Sequence, residues 1–334
     1  MDLLSQINLA LFGIFPGNYS GISHVEGTQY VVVDDKDMTD GFKILNISID
    51  SLSGKVKNAS MIEPEGMKLR RDKQAGIYRD CEGIAYFAPN NTVFISGEED
   101  QRIIEYSMDG VPTGRSLSIP LHMQCDKIEK NLGFEALTYN ATTGYFWTTT
   151  ESTLPGDGKR SSLCNRNWSN RLRLQSFGND LLPVEEYVYA MDIPTVKKAK
   201  GVYAHGVPSM IALDDGRLIV MEREVFISPK KIGSFCNVKL YIVNPSRSVP
   251  INNFTDLSMG NDSIAMKKHL LVQFCTYLRI GKMNFANYEG MCLGPRLAGG
   301  KQTLILIADS QGGAGNSFYR LKDYLRIIIF DSEL

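Results

Sequence analysis

Residues 80–101, DCEGIAYFAPNNTVFISGEEDQ, pass from an acid and a glycine through an apolar segment (84–87) and a turn-rich APNN. A second apolar segment (92–96) and a cluster of carboxylates follow. Two apolar runs joined by turn formers make a β-hairpin, here one that leaves an acidic edge and returns to it. The order recurs in GFEALTYNATTGYFWTTTES (133–152), opened by Glu135 and closed by Glu151. It recurs again in NYEGMCLGPRLAGGKQTLILIADSQ (287–311), opened by Glu289 and closed by Asp309. Weaker copies, GISHVEGTQYVVVDDKD (21–37) and VPSMIALDDGRLIVMERE (207–224), carry Ser23 and Ser209 in the opening position. Opening and closing acids are equally spaced in the first two strong copies and farther apart in the third, where the turn RLAGGKQ absorbs the difference.

Hairpins repeated at intervals of a few tens of residues, with hardly any helical periodicity, indicate radial repetition. The expected fold is all-β, a β-propeller with five to six four-stranded blades, because such an arrangement leaves only short, protected strand edges. Residues 1–334 are expected to form a single domain, with residues 8–15 supplying a strand that pairs with the C-terminal blade. Residues 116–119 are expected as the outer strand of blade two, and residues 238–280 as the source of any sixth blade. In a propeller the first strand of a blade starts beside the central channel and the second returns to the same face. The opening and closing acids are therefore expected on one rim.

Hydrophobic residues make up 43% of the chain, enough for a large core, and the formal net charge of −1 argues against nucleic acid or an anionic membrane as a bulk partner. No apolar run is long enough to span a membrane. The N-terminal MDLLSQINLALFGIFPG has no basic n-region or A-x-A-like site and reads as a strand, not a signal peptide. The 6 Cys show no C-x-x-C spacing, which disfavours zinc; strand cysteines such as Cys81 and Cys292 are expected as buried apolar thiols. Asn18, Asn46, Asn58, Asn90, Asn140, Asn167, Asn253 and Asn261 each open an N-x-[ST] sequon, which matters if a eukaryotic secretory pathway makes the protein.

Two long connections interrupt the repeats. Residues 61–79 carry the basic string KLRRDK, and residues 154–173, LPGDGKRSSLCNRNWSNRLR, form a cation-rich insertion expected to act as a lid or to be disordered. Cations at 66–73 and 159–173 are candidates for attracting an anionic substrate, and Trp168 for touching it. No G-x-S-x-G nucleophile elbow is present. His205 lies close in sequence to Ser209, but a loop histidine in ordinary hydrogen bonds explains it better.

The segments RDCEGIAY with TVFISGEED, GFEALTYN with YFWTTTES, GVPSMIALDDGRLIVMERE, and NYEGMCLG with LILIADSQ resemble the phytase-like family, described as having esterase-like activity of phytase and related to β-propeller phytases. The resemblance spans nearly the whole chain. It implies an acidic, metal-binding face, export, and action on phosphate esters. The chain departs from the family at Ser23 and Ser209, and its closing Asp309-Ser310-Gln311 replaces the usual acidic-Asn ending.

Carboxylates crowded on one rim need an offsetting charge. A hard divalent cation with oxygen ligands, calcium in preference to zinc, is the expected cofactor. Glu82, Glu135 and Glu289 are the expected innermost ring, with Glu98, Glu151, Glu222, Asp309 and Asp34 as further ligands or partners. Arg79, Arg102 and Arg223 stand beside these acids as substrate-binding candidates, with Arg79, Arg223 and the three ring glutamates also expected in catalysis. Pairing of the acids with those arginines is the competing explanation. The expected activity is cation-dependent hydrolysis of a small phosphorylated substrate by a secreted or periplasmic monomer whose export signal is absent from this chain. The alternatives are a non-catalytic ligand- or protein-binding propeller and a metal-independent carboxylesterase.

Overall fold

A computed structural model describes residues 1–35, 41–67, 79–124, 132–258, 262–315 and 319–331. The basic string KLRRDK, Cys125 and Asn261 lie outside the described residues. Strands β1 (Asp2–Leu3) and β2 (Ile7–Asn8) open the chain. Five antiparallel sheets follow, as expected for a five-bladed β-propeller. The first sheet runs β3 (Tyr19–Glu26), β4 (Gln29–Asp34), β5 (Phe42–Ile49) and β6 (Val56–Ile62). The second is β7 (Cys81–Phe87), β8 (Thr92–Gly97), β9 (Arg102–Ser107) and β10 (Pro112–Ser116). The third is β11 (Phe134–Asn140), β12 (Tyr145–Thr150), β13 (Arg171–Phe177) and β14 (Pro183–Ala190).

The fourth sheet comprises β15 (Val202–Ala212), β16 (Leu218–Ser228), β17 (Lys231–Val243), β18 (Lys268–Arg279) and the short β19 (Lys282–Met283). Residues 238–280 therefore extend this sheet and make no sixth blade. The last sheet holds β20 (Asn287–Arg296), β21 (Gln302–Asp309) and β22 (Tyr324–Phe330), and both β1 and β2 pair with β22. The N-terminal pairing with the C-terminal blade is present, but at residues 2–3 and 7–8; Leu9–Phe12 turn as a 3-10 helix capped by the Asn8 side chain. The local Asx cap wins over the apolar LALF run. The outer strand of the second sheet likewise sits earlier than expected, at Pro112–Ser116.

By internal contacts the chain divides into two compact units. Unit 1 holds Met1–Ile95, Ile104–Arg115 and Ala286–Leu334; unit 2 holds Ser96–Ile103 and Ser116–Phe285. In unit 1 the strand β4 shows how the core is built. Successive side chains of a strand point to opposite faces, and both faces here are covered. Tyr30 and Val32 enter a cluster with Leu45, Ile305 and Leu325, while Val31 and Val33 enter another with Ile84, Val93 and Tyr106. A strand buried on both faces reads as a continuous apolar run, which is why YVVV does not alternate. Cys292 belongs to the first cluster and Cys81 to the second, the buried positions expected of them. Unit 2 has its own core around Trp147, Leu174, Tyr189, Met210 and Val220. Trp147 is thus a packing residue. Each fully buried Val, Leu or Ile contributes about 1.5–3 kcal/mol over its exposed state.

Candidate functional site

In unit 1 the carboxylates of Asp35, Asp80 and Glu82 converge, with one oxygen from each lying within 4.8 Å of the others. Three local features bring them together. Asp35 occupies the turn directly after β4, its backbone N–H donating to the Asn18 carbonyl at 2.9 Å. Asp80 precedes β7 with φ at 52°, a left-handed conformation that a non-glycine residue adopts at some cost. Glu82 is the second residue of β7, and β3 lies so close that a Cβ on Gly21 would stand 2.6 Å from the Glu82 carbonyl oxygen. Only glycine permits that approach. Backbone strain of the Asp80 kind concentrates at functional sites.

Asp35 and Glu82 are buried and Asp80 half-buried. Carboxylates this close disfavour one another's ionised forms, and a cation relieves both the repulsion and the burial cost. The donor set is all oxygen, which fits a hard divalent ion such as calcium and does not suit zinc. Arg79, buried and immediately before Asp80, donates through Nη1 to the Tyr106 hydroxyl at 2.9 Å.

The other expected residues of unit 1 occupy different surroundings. Asp34 accepts from Lys43 Nζ at 2.7 Å and from the Asn18 backbone at 3.1 Å. Glu289 is half-buried, with Oε1 accepting from Asn287 Nδ2 at 2.7 Å. Asp309 is buried and accepts from the Gln311 backbone N–H. Asp323, which sequence reasoning did not single out, accepts backbone N–H bonds from Ser310 at 2.9 Å and Gly17 at 3.1 Å. Burial, with a smaller contribution from Asp34, pushes its carboxyl up to about 6.

In unit 2 the acids meet donors and cations. Glu98 accepts from the Gly133 backbone at 3.0 Å, and Glu151 from Arg223 Nη2 at 2.8 Å with both side chains buried. Glu222 accepts from the Tyr189 hydroxyl at 2.8 Å, from the Asp192 backbone at 3.1 Å and from Lys268 at 2.5 Å. Burial raises its carboxyl, and Lys268 offsets part of that. Glu135 is buried where the pairing of β11 with β12 shifts register between Phe134 and Ala136. Arg102 is exposed at the start of β9. Arg79 and Arg223 are both buried.

The 154–173 insertion is packed, contrary to the expectation of a lid or a disordered loop. Its Asp157 is buried against Arg173, with Nε–Oδ2 and Nη2–Oδ1 contacts both at 2.6 Å, and Arg173 Nη1 reaches Glu186 at 2.7 Å. A charge so committed cannot attract substrate. Trp168 is half-buried with the Arg171 guanidinium 5.7 Å from its ring centroid, so it serves as a platform for that arginine. His205 Nδ1 stands 3.0 Å from Ser161 Oγ; its hydroxyl partner comes from the insertion and not from Ser209.

The phytase-like family model, esterase-like activity of phytase, matches residues 15–311. The chain belongs to this family. No curated protein gives a significant match. Among solved structures, the endo-arabinase from Bacteroides thetaiotaomicron is 12% identical, with 99% of each chain covered and a TM-score of 0.46. The catalytic domain of the Coprinopsis cinerea GH62 α-L-arabinofuranosidase is 10% identical over 94% of this chain and 91% of that one, with a TM-score of 0.45. Similarity at this level carries nothing about chemistry.

Proposed function

We propose that this phytase-like chain is an exported hydrolase of phosphate esters that depends on a divalent cation, calcium being the best match, with Asp35, Asp80 and Glu82 holding the ion. The observation that supports it is the convergence of three carboxylate oxygens within 4.8 Å. A bound cation would neutralise phosphoryl charge and lower the pKa of a coordinated water. Arg79 is the preferred anion partner, because it adjoins Asp80 and its guanidinium is already oriented by Tyr106. Arg223 already pairs with Glu151 and is the weaker candidate.

The test is a melting curve of chelator-treated protein with calcium titrated back. A ligand at 100 times its Kd stabilises the folded state by about 2.7 kcal/mol. A saturable rise, weakened in Glu82→Gln and accompanied by calcium-dependent phosphate release from a panel of phosphomonoesters, is the expected result. A flat titration rejects the cation site, and a rise without phosphate release leaves a binding module in its place. Export rests on the family resemblance and the sequons; recovery of the protein from the medium, with a mass decrease on deglycosylation, tests it.

A further inference from the structure

Unit 2 contains a cavity of about 500 Å³ that shares no residue with the three-acid group. Its lining includes Ser152, Arg160, Ser161 and His205, with Leu132 and Leu163 supplying apolar surface. Ser161 and His205 are both buried and meet at 3.0 Å from Oγ to Nδ1. Asn170, itself fully buried, clamps the pair: its Oδ1 accepts from the Ser161 backbone N–H at 2.7 Å and its Nδ2 donates to the His205 carbonyl at 2.9 Å. One amide thus fixes both backbones, although the two residues are 44 apart in sequence.

A further observation points to a ligand. The Ser152 side chain is 1% exposed, lines the cavity, and its Oγ has no hydrogen-bond partner. Such an orphaned hydroxyl is destabilising unless something in the cavity engages it. In the neutral tautomer with the proton on Nε2, Nδ1 is the acceptor and the Ser161 hydroxyl the donor, the arrangement a serine nucleophile needs.

We propose that Ser161 and His205 form a nucleophile and base pair that hydrolyses small carboxylic esters without a metal. Ser161 Oγ attacks the ester carbonyl carbon while its proton passes to His205 Nδ1. The carbon–alkoxy bond then breaks, His205 returns the proton to the departing alkoxide, and an acyl group remains on Ser161. Water, deprotonated by His205, releases the acid and restores the serine. Ser152 Oγ is the cavity group available to the developing oxyanion.

Burial holds His205 down to about 4, with Glu224 and Asp192 pulling it up and Lys239 and Lys268 pushing it further down. Glu151, Arg160 and Tyr203 line the cavity with it. The ring is therefore neutral across the neutral range, and protonation must be offset by the charge developing on the substrate.

The experiment uses the full chain in excess chelator. Hydrolysis of p-nitrophenyl acetate and butyrate is followed, a fluorophosphonate probe is added, and the labelled peptide is mapped. Chelator-resistant hydrolysis, label on Ser161, and loss of about 100-fold or more in Ser161→Ala and His205→Gln support the proposal. Absence of both hydrolysis and label, label on another residue, full activity in Ser161→Ala, or loss of activity on chelation each overturns it. If the alanine variant misfolds by its melting curve, the site of labelling on the unmodified chain still decides. The calcium titration is read independently, so failure of one proposal does not imply failure of the other.

Discussion

Two groups of buried carboxylates, one in each unit, are held differently. In unit 2 Asp157 and Glu186 pair with Arg173, Glu151 with Arg223, and Glu222 with Lys268. In unit 1 the carboxylates of Asp35, Asp80 and Glu82 are gathered on one another. Both arrangements bury acids, the first in ion pairs and the second with three carboxylate oxygens within 4.8 Å of one another. An acidic residue at a strand end therefore says little until its neighbours are known.

The sharpest way to break unit 2's side of this contrast is Arg173→Met. It leaves buried Asp157 without its cation and Glu186 with His122 alone, and removing one partner of such an arrangement costs about 3–5 kcal/mol, to be read from the denaturant midpoint. A loss below 1 kcal/mol would show that the triad is not a structural element.

The next largest effect lies in unit 1, in the pH dependence of Asp323. Burial pushes its carboxyl from the ordinary 3.8 up to about 6 in the folded state. The folded pKa is raised, so the associated stability is full below pH 4 and is lost as pH rises through 6. At 1.36 kcal/mol per unit the change is on the order of 3 kcal/mol. Asp323→Asn should lack this slope, so its stability relative to the parent should climb between pH 4 and 7; parallel curves would refute the assignment.

The smallest and most discriminating test is a pair of isosteric changes. Glu151→Gln, which takes the charge away from Arg223, should lower stability by about 1–3 kcal/mol. Glu82→Gln should forfeit the gain in stability on adding calcium, read from melting curves with and without the ion. An undiminished calcium response in Glu82→Gln would erase the distinction between the two groups of acids.

The hairpins were legible because their apolar runs, turn formers and acids repeat, and the strands β7 with β8, β11 with β12, β15 with β16, and β20 with β21 all fall on them. The site was legible only in part. Glu82 stands out as an opening acid, but Asp34 was preferred over Asp35. Adjacent strand-end residues diverge, one turning to Lys43 and the other to the cluster, and no pattern in VVVDDKD says which. Asp80 looked like the end of a connection; its positive φ belongs to the tertiary structure, not to local propensity. Ser161 was hidden for another reason. The side chain that holds it to His205 is Asn170, and a bridging amide leaves no spacing to read.

The pairing of Asp2 with Ile329 and of Ile7 with Leu325 sets an order of events during synthesis. Strands β1 and β2 belong to a sheet whose central partner, β22, is synthesised long after them. At about 5–20 residues per second, roughly 15 seconds to a minute pass before that partner exists. Throughout this interval β1 and β2 have no sheet to join, and the exposed edge of the last sheet cannot be covered. The final closure is therefore a late, long-range step, of the kind that slows folding and makes the unfinished chain a client for chaperones. Once made, it ties segments from opposite ends of unit 1's sequence together through a few backbone hydrogen bonds.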